Sequence, residues 1–180
     1  MLNPEKWVEL HADYLYAYAR YKLPSKEVAE DVVQETFLSA LSTYRKHSGN
    51  SSERTWLVTI LKRRIVDYYR KEAKRNEQNF TSYSMPFYED GEHKNHWMEQ
   101  RAPKDWTTDK DLQLDEFHQV LQICLSKLSP KHRLVFIMKI LDECSSKEIC
   151  EEVSISPENL WTIMHRARLQ VRECLEKKWL

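Results

Sequence analysis

The chain has 180 residues, 41% of them hydrophobic, and equal numbers of basic and acidic side chains, 28 of each. That length suits one domain or two small ones, with enough apolar residues to fill their cores. Two glycines against six tryptophans argue against a turn-rich sheet protein, since hairpins lean on Gly and Asn-Gly turns, and an all-α fold is expected.

Met1 to Trp7 lacks the apolar stretch of a signal peptide, and no run approaches the roughly 18 apolar residues of a membrane span. A cytoplasmic protein with no direct membrane insertion is expected. Neutral net charge hides a segregation: residues 76–118 hold 4 basic and 10 acidic side chains, whereas residues 54–75 hold 8 basic and 2 acidic.

In chain order, Asn3-Pro4 opens a helix through Tyr21, Ser25 caps a second to about Tyr44, and Ser51 or Ser52 caps a third. The second helix, "KEVAEDVVQETFLSAL", carries Glu27, Asp31 and Glu35 at i, i+4 spacing with Gln34 beside them. Such a row repels itself by roughly 0.2 to 0.5 kcal/mol per pair. An acidic ridge of this kind fits a basic protein surface, and it equally fits a solvated face whose first turn is eased by the helix dipole.

The third helix contains "RTWLVTILKRRIVDYYRK". Trp56, Leu57, Ile60, Leu61 and Tyr68 fall on one side, while Thr55, Thr59, Lys62, Arg63, Val66, Tyr69 and Arg70 fall on the other. Cations alternating with hydroxyls and an aromatic suit single-stranded or distorted DNA: phosphates need charge, and an unstacked base needs a flat surface worth roughly 1 to 3 kcal/mol. A plain solvated basic face is the alternative.

From Asn76 periodicity disappears, and Pro86, Gly91, Pro103 and alternating charges mark a linker over residues 76–111 that also contains Phe87, Trp97 and Trp106. Thr108 begins a further helix with Leu112, Phe117, Val120, Leu121, Cys124 and Leu125 on one face. Ser129-Pro130 starts another, and Ser145 with Glu148 has capping-box spacing for a short helix over residues 146–153. After the turn "VSIS", Ser156 and Pro157 open the last helix. Its core stripe is Leu160, Ile163, Met164, Ala167, Val171 and Cys174.

Opposite that stripe lie Glu158, Thr162, His165 and Arg166, flanked by Asn159, Trp161, Arg168 and Arg172. A short helix, a tight turn and a longer polar-faced helix form the layout of a helix-turn-helix whose second helix enters the major groove. Packing alone also yields such a pair. The outer face favours DNA: Arg166 suits guanine or phosphate, Asn159 adenine or phosphate, and Thr162 and Trp161 the backbone or a thymine methyl. The four cysteines lack C-x-x-C spacing, and Cys124, Cys150 and Cys174 follow core periodicity, so buried thiols are expected rather than a zinc site. Neither a metal nor another cofactor is expected.

Together these segments resemble one family, the bacterial RNA polymerase sigma factors of the small extracytoplasmic-function subgroup. "AEDVVQETFLSAL" is similar to the polymerase-binding helix of region 2, and "RTWLVTILKRRIVDYYRK" to its promoter-melting and minus-10 helix. "LSPKHRLVFIMKILDECSSKEICEEVSISPENLWTIMHRARLQVRECL" is similar to region 4. The resemblance implies two small helical domains, residues 1–75 and 112–180, joined by a flexible acidic linker that runs toward the RNA exit path of the polymerase.

By the same resemblance, Asp31, Gln34 and Glu35 meet the coiled coil of the beta-prime subunit. Ser48, Gly49, Asn50, Ser51 and Ser52 cup a base flipped from the non-template strand, at a cost of a few kcal/mol. Arg54, Thr55, Trp56, Lys62, Arg63, Asp67, Tyr68 and Arg70 match the promoter-opening helix, to which the outer face adds Tyr69. Pro157, Glu158, Asn159, Trp161, Thr162, His165 and Arg166 read the minus-35 element, and region 4 also meets the beta flap. The implied partners are core RNA polymerase, promoter DNA and an anti-sigma inhibitor, and the implied role is an initiation factor, not an enzyme.

The chain departs from the family pattern at Ser154, where the turn often has Gly, so the backbone there either avoids the left-handed region or bears some strain. Trp161 and Ile163 stand where Lys or Arg is common, and Arg63 where Asn is frequent. Two rival readings are a dimeric helix-turn-helix repressor or activator, which predicts tight duplex binding without polymerase, and a metal-dependent enzyme using the histidines, the cysteines or the Asp31 and Glu35 carboxylates.

Overall fold

A computed structural model of the chain describes residues 3–46, 51–76, 83–87, 89–92, 94, 96–103 and 114–179. Among these are seven α-helices and no strand, and the chain divides into two compact units, residues 1–72 and 73–180. None of the described helices is long and apolar enough to cross a membrane.

The first unit holds α1 (Trp7–Arg20), α2 (Lys26–Thr43) and most of α3 (Glu53–Asn76). A 3-10 turn at Pro4–Lys6 precedes α1, because Pro4 fixes φ yet donates no hydrogen bond. The Ser25 hydroxyl accepts from the Val28 N–H at 3.3 Å and so caps α2. Of the two candidate caps for α3, Ser52 does the work, accepting from the Thr55 N–H at 3.2 Å.

Trp7, Leu15 and Ala19 of α1, Val33 and Phe37 of α2, and Leu57, Leu61 and Ile65 of α3 are buried together in the core of this unit. Each large apolar side chain contributes roughly 1.5 to 3 kcal/mol by leaving water. Glu53, in the first turn of α3, accepts from the Asn3 N–H and, at 3.1 Å, from the Trp7 indole, which ties the chain start to α3.

Two residues of α3 sit opposite to expectation. Val66 and Tyr69 are buried, 8% and 1% exposed. The buried track runs Leu57, Leu61, Ile65, Tyr69, and each i to i+4 step turns it by roughly 40° around a straight helix. Over these three steps it leaves the direction fixed by Trp56 and Leu57 and brings Tyr69 inside. There the Tyr69 hydroxyl donates to the Lys22 carbonyl.

The second unit contains α4 (Leu114–Ser126), α5 (Pro130–Phe136) with a π-helical continuation at Ile137–Leu141, α6 (Ser146–Val153) and α7 (Pro157–Lys178). The expected start of α4 at Thr108 lies outside the described residues. Ser129 caps α5 through the His132 N–H at 3.3 Å. The capping box is complete: Ser145 accepts from the Glu148 N–H at 3.2 Å, and the Glu148 carboxylate accepts from the Ser145 N–H at 2.8 Å.

Ser156 caps α7 by accepting from the Asn159 N–H at 3.2 Å. The six core positions expected of α7 are all buried. Ser154 takes the strained of its two alternatives, with φ 54° and ψ 55° in the left-handed region, and the following Ile155 N–H closes on the Cys150 carbonyl at 3.1 Å.

The cysteines also differ from expectation. Cys124 and Cys174 are buried but joined by a disulfide that links α4 to α7, while Cys144 and Cys150 are half-buried free thiols. Core periodicity predicted the burial of this pair, but not that the two sulfurs face each other across two helices.

Candidate nucleic-acid interface

Three surfaces carry the residues singled out by the sequence. On α2, Asp31, Gln34 and Glu35 are all exposed, but they face two different neighbours. Asp31 and Glu35 line a cleft of about 150 Å³ shared with Arg64, Asp67, Tyr68 and Lys71 of α3. Gln34 instead borders an apolar groove of about 770 Å³ between α1 and α2, walled by Val8, Phe37, Leu38 and Leu41. The acidic row thus has a hydrophobic margin in which Val8 is 61% and Leu38 67% exposed. In the first turn, Glu27 is held below its ordinary value by hydrogen bonds to its own backbone N–H and to Ser25.

On α3, Arg54, Thr55 and Arg63 are exposed and Lys62 and Arg70 half-buried. The Arg54 guanidinium lies 4.9 Å from the centre of the Tyr14 ring, a cation–π arrangement that holds the charge at the surface. Thr55 and Ser52 share a hydroxyl hydrogen bond of 2.9 Å. Trp56 is half-buried against Trp7, rings 5.6 Å apart edge to face. Asp67 lies between two cations, 4.0 Å from Arg64 and 3.7 Å from Arg70.

Tyr69 is corrected here as well: buried, with its hydroxyl engaged by Lys22, it offers no ring to a base. Its neighbour Tyr68 is half-buried and meets it edge to face at 5.1 Å. Ser48, Gly49 and Asn50 lie outside the described residues; Ser51 and Ser52 are exposed at the foot of α3.

On α7, Pro157, Glu158, Asn159 and Arg166 are exposed, and Trp161 is 70% exposed, an unusual position for so large an apolar ring. The Thr162 hydroxyl donates to the Glu158 carbonyl at 3.0 Å. His165 is half-buried, its ring nearly parallel to that of Trp161 at 5.3 Å. Arg166 acts inward too. Burial first, then the charges of Arg166 and Lys131, holds His132 below its ordinary 6.5. The unfolded chain therefore protonates His132 more readily than the folded one, and the second unit loses stability as pH falls through 6.5.

Sequence reasoning missed the cover on the far part of α7. Phe87 and Trp97 form an antiparallel bridge, the Met98 N–H donates to the Pro86 carbonyl at 2.9 Å, and a 3-10 turn follows at Glu99–Arg101. The Arg101 guanidinium donates to both oxygens of Glu173, at 2.8 and 3.1 Å, and also to the Ser84 and Met85 carbonyls. Such a bidentate charged pair is the strong form of the interaction. Tyr83 beside it is pushed up to about 12, chiefly by burial and then by the Glu173 charge. The described part of the expected linker is thus folded onto the second unit. Its aromatics were the only sequence signal of this.

Both units have counterparts among known proteins. The sigma-70 region 2 family model matches residues 7–75, and the sigma-70 region 4 model matches residues 118–171. A Haemophilus influenzae protein named "Probable RNA polymerase sigma factor" is 33% identical over 168 residues, 91% of this chain and 85% of its own length. The Bacillus subtilis RNA polymerase sigma factor YlaC is 31% identical over 151 residues, 84% of this chain and 79% of its own. The ECF RNA polymerase sigma factor SigX of the same organism is 25% identical over 176 residues, 92% of this chain and 79% of its own.

Among solved structures, the sigma factor RpoE in complex with the anti-sigma factor NepR from Bartonella quintana has the same fold, with a TM-score of 0.51, 20% identity and 97% coverage of both chains. Two capped helical units, a basic helix in one and a helix-turn-helix in the other, match both halves of one family, so the chain belongs to the sigma-70 family of RNA polymerase sigma factors, in its extracytoplasmic-function group, and is a promoter-directing transcription initiation factor.

Proposed function

We propose that the exposed face of α3 opens and holds the minus-10 region, while the first three turns of α7 read the minus-35 element. The observation that carries this reading is the paired exposure of Arg54, Thr55 and Arg63 on α3 and of Asn159, Trp161 and Arg166 on α7, each on a helix whose other side is core. Cations and hydroxyls on α3 suit phosphates and unstacked bases. The mixed donors of α7 suit base edges in a major groove. Ser51 and Ser52, with Ser48, Gly49 and Asn50, take the flipped base.

Asp31, Gln34 and Glu35 hold the beta-prime coiled coil, the two carboxylates by charge and Gln34 at the edge of the apolar groove. Region 4 takes the beta flap. An anti-sigma inhibitor would cover these same polymerase-binding surfaces. The protein carries out no catalytic step of its own and works in the cytoplasm beside polymerase and DNA. Each DNA contact is weak alone, and core polymerase makes them one bivalent event by holding both units at a fixed separation.

Addition of the pure protein to sigma-free core polymerase tests the proposal. A stable complex and promoter-directed transcripts are expected, with little binding of duplex DNA by the free protein. No complex, or tight duplex binding without polymerase, would overturn it.

A further inference from the structure

α7 is buried on two sides. Leu160 and Ala167 face the core, yet Leu169 and Glu176, each nine residues further on and so roughly 180° around the helix, are also only 8% and 7% exposed. A helix with solvent opposite its core would leave both open. On that outer side the connector meets α7 at Glu173, through Arg101, and at Arg172, whose guanidinium lies 4.6 Å from the Trp97 ring centre and donates to the Arg101 carbonyl at 2.9 Å. The cover ends at Phe87, whose ring lies 6.2 Å from that of His165 and within 6° of parallel.

His165 in turn lies 5.3 Å from Trp161 at 4°. Three flat rings therefore stand in one column, with Phe87 at the back, His165 in the middle and Trp161 projecting. Without such backing an exposed tryptophan spreads over several rotamers, and fixing one on binding weakens the complex. We propose that Phe87 is a positioning residue for minus-35 reading: from the connector it backs His165, which holds Trp161 in one orientation toward the base pairs. The inference rests on the assignment of α7 to duplex reading made above. It adds that promoter selectivity depends on a residue outside the helix-turn-helix.

The Phe87 ring also packs on Trp97, centroids 4.5 Å apart, but the backbone bridge, the Arg101 pair with Glu173 and the hydrogen bond from Arg172 to the Arg101 carbonyl do not use it and anchor the connector when that ring is removed. The test uses the full chain assembled with core polymerase, and duplexes selected from a random pool by the wild-type assembly. Phe87→Ala is expected to weaken binding of those duplexes roughly two- to tenfold and to flatten base preference at the pairs nearest Trp161. Assembly with core and opening of a duplex carrying only the minus-10 part stay unchanged.

Phe87→Tyr keeps the flat ring and the wild-type preference. Phe87→Leu keeps apolar bulk without a flat face and shows the same flattening, which guards against a folding defect in the alanine variant. In a Trp161→Ala background, Phe87→Ala adds no further loss. An unchanged preference profile in the alanine and leucine variants, tighter binding, or full additivity with Trp161→Ala would each overturn the proposal. If Trp161→Ala and Arg166→Ala both leave selection unchanged, the assignment of α7 itself fails; if they impair it while Phe87→Ala does not, only the role of Phe87 fails.

Discussion

The two helices proposed to face DNA are both long and both have a buried track, but the chain treats their outer sides differently. On α3 the outer side stays open, with Arg54, Thr55, Thr59 and Arg63 exposed. On α7 the first turns, Arg166, Arg168 and the terminal Lys177 and Lys178 stay open; between His165 and Glu173 the connector is laid over the outer face. An open face tolerates changes of charge without a cost in folding, whereas a covered one couples recognition to packing. Binding and stability should therefore separate cleanly in the first unit and much less so in the second.

The largest expected effect lies on the open surface of the first unit. Asp31→Arg combined with Glu35→Arg should abolish association with core polymerase in a pull-down while the melting temperature and helical content hold. Full affinity for core would remove the carboxylates from that interface. In the second unit, Cys124→Ala with Cys174→Ala should lower stability by about 4 kcal/mol, the chain-entropy value for a link across 50 residues. Hydrogen exchange should show the loss in α4 and α7 and none in α1 to α3; equal loss in both units would erase the distinction between them.

Arg166→Ala is expected to reduce promoter binding by roughly 1 to 3 kcal/mol if the guanidinium reads a base, or only to flatten the salt dependence if it holds a phosphate. Because its charge also lowers His132, the variant should lose less stability between pH 7 and 6 than the wild type does. An unchanged pH profile would mean that recognition and packing are uncoupled at this position. Smallest, Tyr69→Phe should cost about 1 kcal/mol in the first unit by removing the hydrogen bond from the Tyr69 hydroxyl to the Lys22 carbonyl, with DNA binding intact. A loss of minus-10 opening at full stability would return Tyr69 to the interface.

Helix existence, the caps at Ser25, Ser52, Ser129, Ser145 and Ser156, and the core stripe of α7 were legible because each depends on residues within a turn or two. Tyr69 was not, because a fixed stripe ignores the precession of a buried track along a 24-residue helix. The splitting of Gln34 from Asp31 and Glu35 depends on where α1 and α3 lie against α2, which periodicity does not encode. The disulfide and the contact of Phe87 with His165 join residues 50 and 78 positions apart, and only tertiary packing brings them together.

Ser154 has a consequence for how α7 is aimed. A left-handed serine costs roughly 1 to 2 kcal/mol that glycine would not, yet glycine would also admit many more corner angles. The hinge between α6 and α7 is therefore a latch with few settings. The pitch at which the last helix meets a groove is fixed before any DNA arrives, and easing that corner would trade aim for comfort.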